Sequence, residues 1–189
     1  MPKLSIVKLR MEKEVNAYLL SSDGEAVVID AGTPVEKIVE QLGDLKLRSI
    51  VATHGHPGHI AGKDALSGLT GAETAMNVLD AKFFLRSAQR YLLDADEIEF
   101  GGLSMRVIHT PGHTPGSLCF LVANHLFTGD TLLAGGIGKE LPGADLRQQM
   151  FSIGTKLLRL PLTTAVYPGH GAATSLENEL RTNPFLRRA

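Results

Sequence analysis

The chain has a single cysteine, Cys119, in 189 residues. That excludes an intrachain disulfide and fits a reducing compartment. Charge imbalance is also missing: 19 basic residues stand against 20 acidic ones, a formal net charge of −1. No global field therefore draws the chain to nucleic acid or to an anionic membrane. No apolar run approaches the ~20 residues of a membrane span, and no signal-peptide core follows the N-terminus. A cytoplasmic location is the simplest expectation. There is no low-complexity segment and no linker. With domains of roughly 100–200 residues as the usual range, one domain is expected over residues 1–189. Hydrophobic residues make up 43% of the chain, enough for a substantial core without staples.

What is present is an ordered set of strand and helix signals. Residues 4–10, 15–20 and 26–30 read as three strands with short turns, an antiparallel meander. Thr33 is placed to cap a helix with Pro34 at its first position, ending before Gly43. Residues 47–53 form an apolar strand, 60–66 a short helix, 73–76 a brief strand and 78–91 a longer helix. Gly101-Gly102 marks a hairpin between strands at 98–100 and 103–109. Strands come next at 117–122 and 125–128, then a glycine-rich loop at 134–144. A helix at 146–160, a strand at 165–167 and a helix at 175–181 complete the order. Two β-rich halves, each covered by helices, predict an α/β fold, a four-layer α/β/β/α sandwich.

The chemistry concentrates at strand ends. His54, His56 and His59 fall within six residues, directly after an apolar β-branched run. His113 sits in Thr110-Pro111-Gly112-His113-Thr114-Pro115-Gly116-Ser117, Asp130 in Thr128-Gly129-Asp130-Thr131, and His170 in Pro168-Gly169-His170-Gly171. Each is wrapped in glycine or proline, which suits a rigid loop presenting one side chain. Imidazoles and carboxylates converging on one ion make a metal site. His125 beside a tight turn and His109 read as structural, and Cys119 as a small buried residue in a strand.

These motifs resemble the metallo-β-lactamase-fold hydrolases, and within them the short glyoxalase II-like branch. The family pattern is T-H-x-H-x-D-H, then P-G-H-T-P-G-S, G-D-T-L and P-G-H-G. Here Thr53 to His59 matches except at one position, and the other three motifs are intact. Asn16 to Leu19, the turn Ile29-Asp30-Ala31-Gly32 and the stretch from Arg181 to Leu186 are similar to that branch as well. The resemblance implies two adjacent metals, the first held by His54, His56 and His113, the second by His59 and His170, with Asp130 bridging. Zinc is the metal it implies first, as one or two ions, with iron or manganese as alternatives. It implies a metal-bound hydroxide, held by His54, His56, His113 and Asp130, that attacks a thioester or ester-like carbonyl of a small-molecule substrate. No serine or cysteine nucleophile is needed.

The departure is Gly58, where the family has aspartate. Glycine offers no ligand atom, and three outcomes stay open: a second metal held weakly with extra water, an empty second site, or an aspartate replaced in this sequence. The first two would reduce activity. No C-terminal helical domain of the kind with which full-length glyoxalase II relatives grip glutathione is expected. Gly171-Ala172-Ala173 stands where those relatives have a Glu-Tyr pair, so efficient use of a glutathione thioester is not expected. Lys139 is placed in sequence like a basic residue that meets substrate carboxylates in the family. Three other readings remain: a mononuclear-iron, persulfide dioxygenase-like oxidoreductase using His54, His113 and Asp130; a lactonase or β-lactamase-type hydrolase; and a catalytically impaired binding protein. The oligomeric state is not legible.

Overall fold

Along strand β2 (Asn16–Ser22), Tyr18 and Leu20 turn to one side while Ala17 and Leu19 turn to the other. The same split recurs in β3 (Glu25–Ile29), where Val27 and Ile29 oppose Ala26 and Val28. Both faces of these strands are apolar, so both must be covered. That requirement sets the architecture seen in the computed structural model, which describes residues 2–138 and 143–188.

One six-stranded sheet runs in spatial order from β1 (Ser5–Arg10) through β2 and β3 to β4 (Lys46–Val51), β5 (Glu73–Met76) and β6 (Arg90–Tyr91). Its first three strands are antiparallel, as the meander predicts, and the rest join in parallel. The second sheet contains β7 (Glu97–Phe100), β8 (Leu103–His109), β9 (Leu118–Val122), β10 (His125–Gly129), β11 (Ala165–Pro168) and β12 (Thr174–Ser175). Only the β10–β11 pair in it is parallel. The sheets face each other across a core of Tyr18, Leu20, Val27 and Ile29 from one, and Phe100, Val107, Phe120 and Phe127 from the other. Full burial of such side chains contributes ~1.5–3 kcal/mol each.

The outer faces are covered by helices. Ile38 and Leu42 of α1 (Glu36–Leu42) and Leu66 of α3 (Lys63–Thr70) pack on the first sheet. Ile153 of α5 (Leu146–Lys156) and Leu176 of α6 (Leu176–Thr182) pack on the second. The result is the expected four-layer sandwich. Two further short helices, α2 (Pro57–Ile60) and α4 (Val78–Phe83), flank the edge where the histidines lie. Among the described residues no helix is long and apolar enough to cross a membrane.

Several local expectations are corrected. The helix expected at 78–91 stops at Phe83, and Leu85 turns left-handed with φ 53°. The edge of β5 then captures the chain around Gln89. Gln89 N donates to Thr74 O at 3.0 Å, and Gln89 Oε1 accepts from Thr74 N at 2.7 Å. Leu79 and Phe83, within that segment, are nearly half exposed. Thr33 does not cap α1, because its hydroxyl donates to Glu12 Oε2 at 2.7 Å and the helix starts later, at Glu36. The helix expected at 60–66 is two short ones, α2 and α3. Gly101 and Gly102 do form the hairpin turn, with φ of 49° and 73°.

Candidate metal centre

Strands β3, β4, β8, β10 and β11 end at one edge of the sandwich and deliver Asp30, His54, His113, Asp130 and His170 there. The edge is tied across the sheets: Leu118 N donates to Thr53 O at 2.7 Å, and Tyr18 Oη donates to Pro168 O at 2.7 Å. Every residue expected as a ligand gathers in this space.

Their tautomers are set by their partners. Thr53 Oγ1 donates its one proton to Asp30 Oδ2 at 2.7 Å, so it accepts from His54 Nδ1 at 3.0 Å. The lone pair of His54 is then on Nε2, which is buried with no hydrogen-bond partner among the described residues. His59 Nδ1 donates to Asp30 Oδ2 at 2.8 Å, leaving its Nε2 to face Asp130 Oδ1 at 3.8 Å. His170 Nδ1 donates to Glu14 O at 3.1 Å, and its Nε2 lies 3.5 Å from Asp130 Oδ2. His113 Nε2 lies 3.1 Å from His56 Nδ1 and 3.6 Å from Asp130 Oδ2.

A metal fits this donor set. Ligand atoms held ~2.0–2.2 Å from one ion in tetrahedral order stand roughly 3.3–3.6 Å apart. Donor atoms of His54, His56 and His113 lie within 4.8 Å of one another, and so do those of His54, His59 and Asp130. The second grouping includes His54, and the part-exposed His170 also reaches Asp130. Asp130 Oδ1, like His54 Nε2, is buried without a hydrogen-bond partner among the described residues. Buried polar atoms left in that state cost ~1–3 kcal/mol each, and a cation between them removes the cost.

Electrostatics separate the histidines. Burial, reinforced by the neighbouring imidazoles, holds His54 well below the ordinary histidine range. Burial, with His59 adding to it, lowers His56 to about 4. Both are therefore neutral, the ligating form, at pH 7. Burial acts on His59 too, but the carboxylates of Asp30 and Asp130 outweigh it and raise its pKa. Burial raises Asp130, against the pull of His59 and His170.

Two carboxylates hold the site without facing its centre. Asp30 accepts from Thr53 N, Thr53 Oγ1 and His59 Nδ1. Asp80, on α4 and fully buried, accepts from Gly55 N at 2.7 Å, Thr114 Oγ1 at 2.8 Å and Gly116 N at 2.6 Å. It thus clamps the His54–His59 turn to the His113 loop. Burial raises its pKa while these three hydrogen bonds pull it down. The roles of both were missed in the sequence. Asp30 at least stood at a strand end before Gly32, whereas Asp80 looked like any polar helix residue.

His109 and His125 are structural, as expected: His109 Nε2 bonds Pro115 O at 3.0 Å, and His125 Nδ1 meets Tyr167 Oη at 3.0 Å. Cys119 is buried, with its thiol pushed up to about 12 by burial. Lys139 lies outside the described residues.

At Gly58 a Cβ would stand 2.9 Å from Val15 Cγ2, a β-branched atom that cannot swing away cheaply. The place of the absent aspartate is thus partly filled. Gly58→Asp combined with Val15→Ala is expected to tighten a second metal by roughly 10–100-fold, the scale of a supporting ligand contact. Metal titration of the double variant against the parent chain checks this, and unchanged stoichiometry and affinity would count against it. Gly58→Asp alone is expected to gain less.

The chain is similar to known proteins over nearly its whole length. A family profile described as the Metallo-beta-lactamase superfamily matches residues 11–181. Hydroxyacylglutathione hydrolase GloC of Haemophilus influenzae is 30% identical over 206 aligned positions, covering 97% of each chain. The crystal structure of ETHE1 from Myxococcus xanthus superposes with a TM-score of 0.88 at 32% identity, covering 95% of this chain and 83% of that one. TTHA1623, solved in a di-iron-bound form, gives a TM-score of 0.82 at 31% identity, with 95% of this chain and all of that one covered. With the fold, the converging imidazoles and the profile match over most of its length in agreement, this chain belongs to the metallo-β-lactamase superfamily.

Proposed function

We propose that the chain is a metal-dependent hydrolase acting on a thioester or ester carbonyl, with His54, His56 and His113 as the principal ligands. His59, Asp130 and His170 form a second, weaker site. The observation that carries this reading is His54 Nε2, a buried lone pair with no hydrogen-bond partner among the described residues, set among imidazoles beside an open cavity of about 420 Å³. A bound divalent ion supplies an activated water at neutral pH and polarises the carbonyl oxygen.

The chain's own residues do the rest. Asp30 keeps the His59 proton on Nδ1, and Thr53 keeps the His54 proton on Nδ1, so that both Nε2 atoms face inward. Such support of a ligating histidine typically accounts for 10–100-fold in affinity. Asp130 stands between His113, His59 and His170 and fixes the distance between the two donor groups. Cys119 takes no part, since it is buried and its thiol is held protonated. The similarity to GloC supports the thioester class.

Zinc-reconstituted protein is expected to cleave simple thioesters faster than lactones or β-lactams, to lose the activity to a chelator and to regain it with metal. Chelator-insensitive hydrolysis, or none on any of the three classes, would overturn the reading. A second reading, a mononuclear-iron oxidoreductase, rests on His54, His113 and Asp130 as a two-histidine, one-carboxylate set, and the similar TTHA1623, solved in a di-iron-bound form, supports iron as the metal. Iron as the retained metal, with oxygen uptake, would favour it.

A further inference from the structure

The turn from residue 11 to residue 15, between β1 and β2, contributes Lys13 and Glu14 to the lining of the cavity beside the proposed ligands. Lys13 and Glu14 both adopt left-handed backbone, with φ of 55° and 59°. Non-glycine residues hold such a conformation where their surroundings enforce it. Here they do. Met11 N donates to Val15 O at 2.8 Å, Glu12 N donates to Thr33 O at 2.9 Å, and His170 Nδ1 donates to Glu14 O. The turn is therefore fastened to one of the proposed metal ligands.

Its charged side chains are not equivalent. Glu12 accepts from the Thr33 hydroxyl, and Glu14 pairs with Arg10. Lys13 has no hydrogen bond or ion pair among the described residues, yet it lines the cavity together with His113, Asp130 and His170. Its Cδ lies 3.9 Å from the point where a side chain at residue 58 would begin. An acid there would sit beside the lysine stem and neutralise the ammonium. Glycine puts no carboxylate beside the stem, so the charge is left uncompensated from that side.

We propose that Lys13 is a specificity-determining residue that binds a carboxylate of the substrate, so that the preferred thioester carries an anionic group close to the scissile carbonyl. The proposal rests on the hydrolase reading and narrows its substrate class. A cation poised at the rim of a site that itself holds metal favours anionic ligands over neutral ones of the same shape.

Two thioesters that differ by one charge test it: S-acetylmercaptoacetate and its methyl ester, with zinc-loaded protein. Lys13→Ala is expected to raise KM for the anionic substrate by roughly three- to ten-fold, the range for a half-exposed charge pair and a charge-assisted hydrogen bond. The neutral ester and kcat should be little changed. Lys13→Arg should retain most of the preference, and added salt should shrink it. An equal loss on both substrates, or no loss on either, overturns the assignment while leaving the hydrolase reading intact. Should the parent chain cleave neither substrate, the hydrolase reading is decided by the thioester, lactone and β-lactam panel. Calorimetric binding of mercaptoacetate against methyl mercaptoacetate then decides on Lys13: weaker binding of the anion alone by Lys13→Ala supports it, and unchanged binding sinks it.

Discussion

Asp30→Asn is expected to destabilise the protein by about 2–4 kcal/mol and to weaken metal binding on the His59 side by roughly 10–100-fold. The substitution isolates chemistry from backbone, because asparagine tolerates the φ of 59° that Asp30 adopts. An amide oxygen can still accept from Thr53 N. The amide nitrogen, however, presents donors to two groups that are themselves donors, the Thr53 hydroxyl and His59 Nδ1–H. Each buried donor left unpaired costs ~1–3 kcal/mol. Loss of the carboxylate also removes the first of the two charges that raise His59. Denaturant unfolding of the metal-free protein reads the first effect, and metal titration reads the second. A variant with parental values in both would show that Asp30 is a bystander.

His54→Ala is expected to behave in the opposite way toward stability. In the metal-free chain His54 is a buried imidazole whose Nε2 has no hydrogen-bond partner among the described residues. Removing it relieves that penalty and the crowding with His59, whose ring lies 4.1 Å away. The metal-free variant should therefore lose little stability, within about 1 kcal/mol of the parent, because relief of an unsatisfied polar atom offsets the cavity left behind. Metal should raise the melting temperature of the parent strongly, since an ion that binds only the folded state stabilises it by mass action. It should raise that of the variant far less, through the weaker second site alone, and hydrolysis should be abolished. The two variants thus separate a residue that holds the site together from one proposed to hold the metal.

Much of the fold and the site was legible in the chain. Residues that alternate or run apolar between turn signals became β2, β3, β4, β9 and β10, because strand signals survive when both faces are buried. The His54–His59 cluster and the loops bearing His113, Asp130 and His170 were visible because each combines a donor with glycine or proline at a strand end. The two-residue strands β6 and β12 carried no signal, since pairing at a sheet edge needs backbone alone. The helix expected at 78–91 ends early because β5 pulls Arg90 and Tyr91 into the sheet, and Leu79, Phe83 and Leu85 remain exposed. Asp30 and Asp80 were overlooked as site residues because what they do depends on partners far away in sequence. Lys13 was invisible for the same reason: only the folded turn brings it over Gly58.

Hydrolysis is proposed to depend on a metal held by His54, His56 and His113. Elemental analysis of the parent chain and His54→Ala, loaded with zinc side by side and freed of loose metal, tests this most directly. The parent is expected to retain at least one ion per chain, with His54→Ala retaining none at this triad and cleaving no thioester. Equal metal content in the two proteins, or undiminished hydrolysis by the metal-free parent, would contradict it.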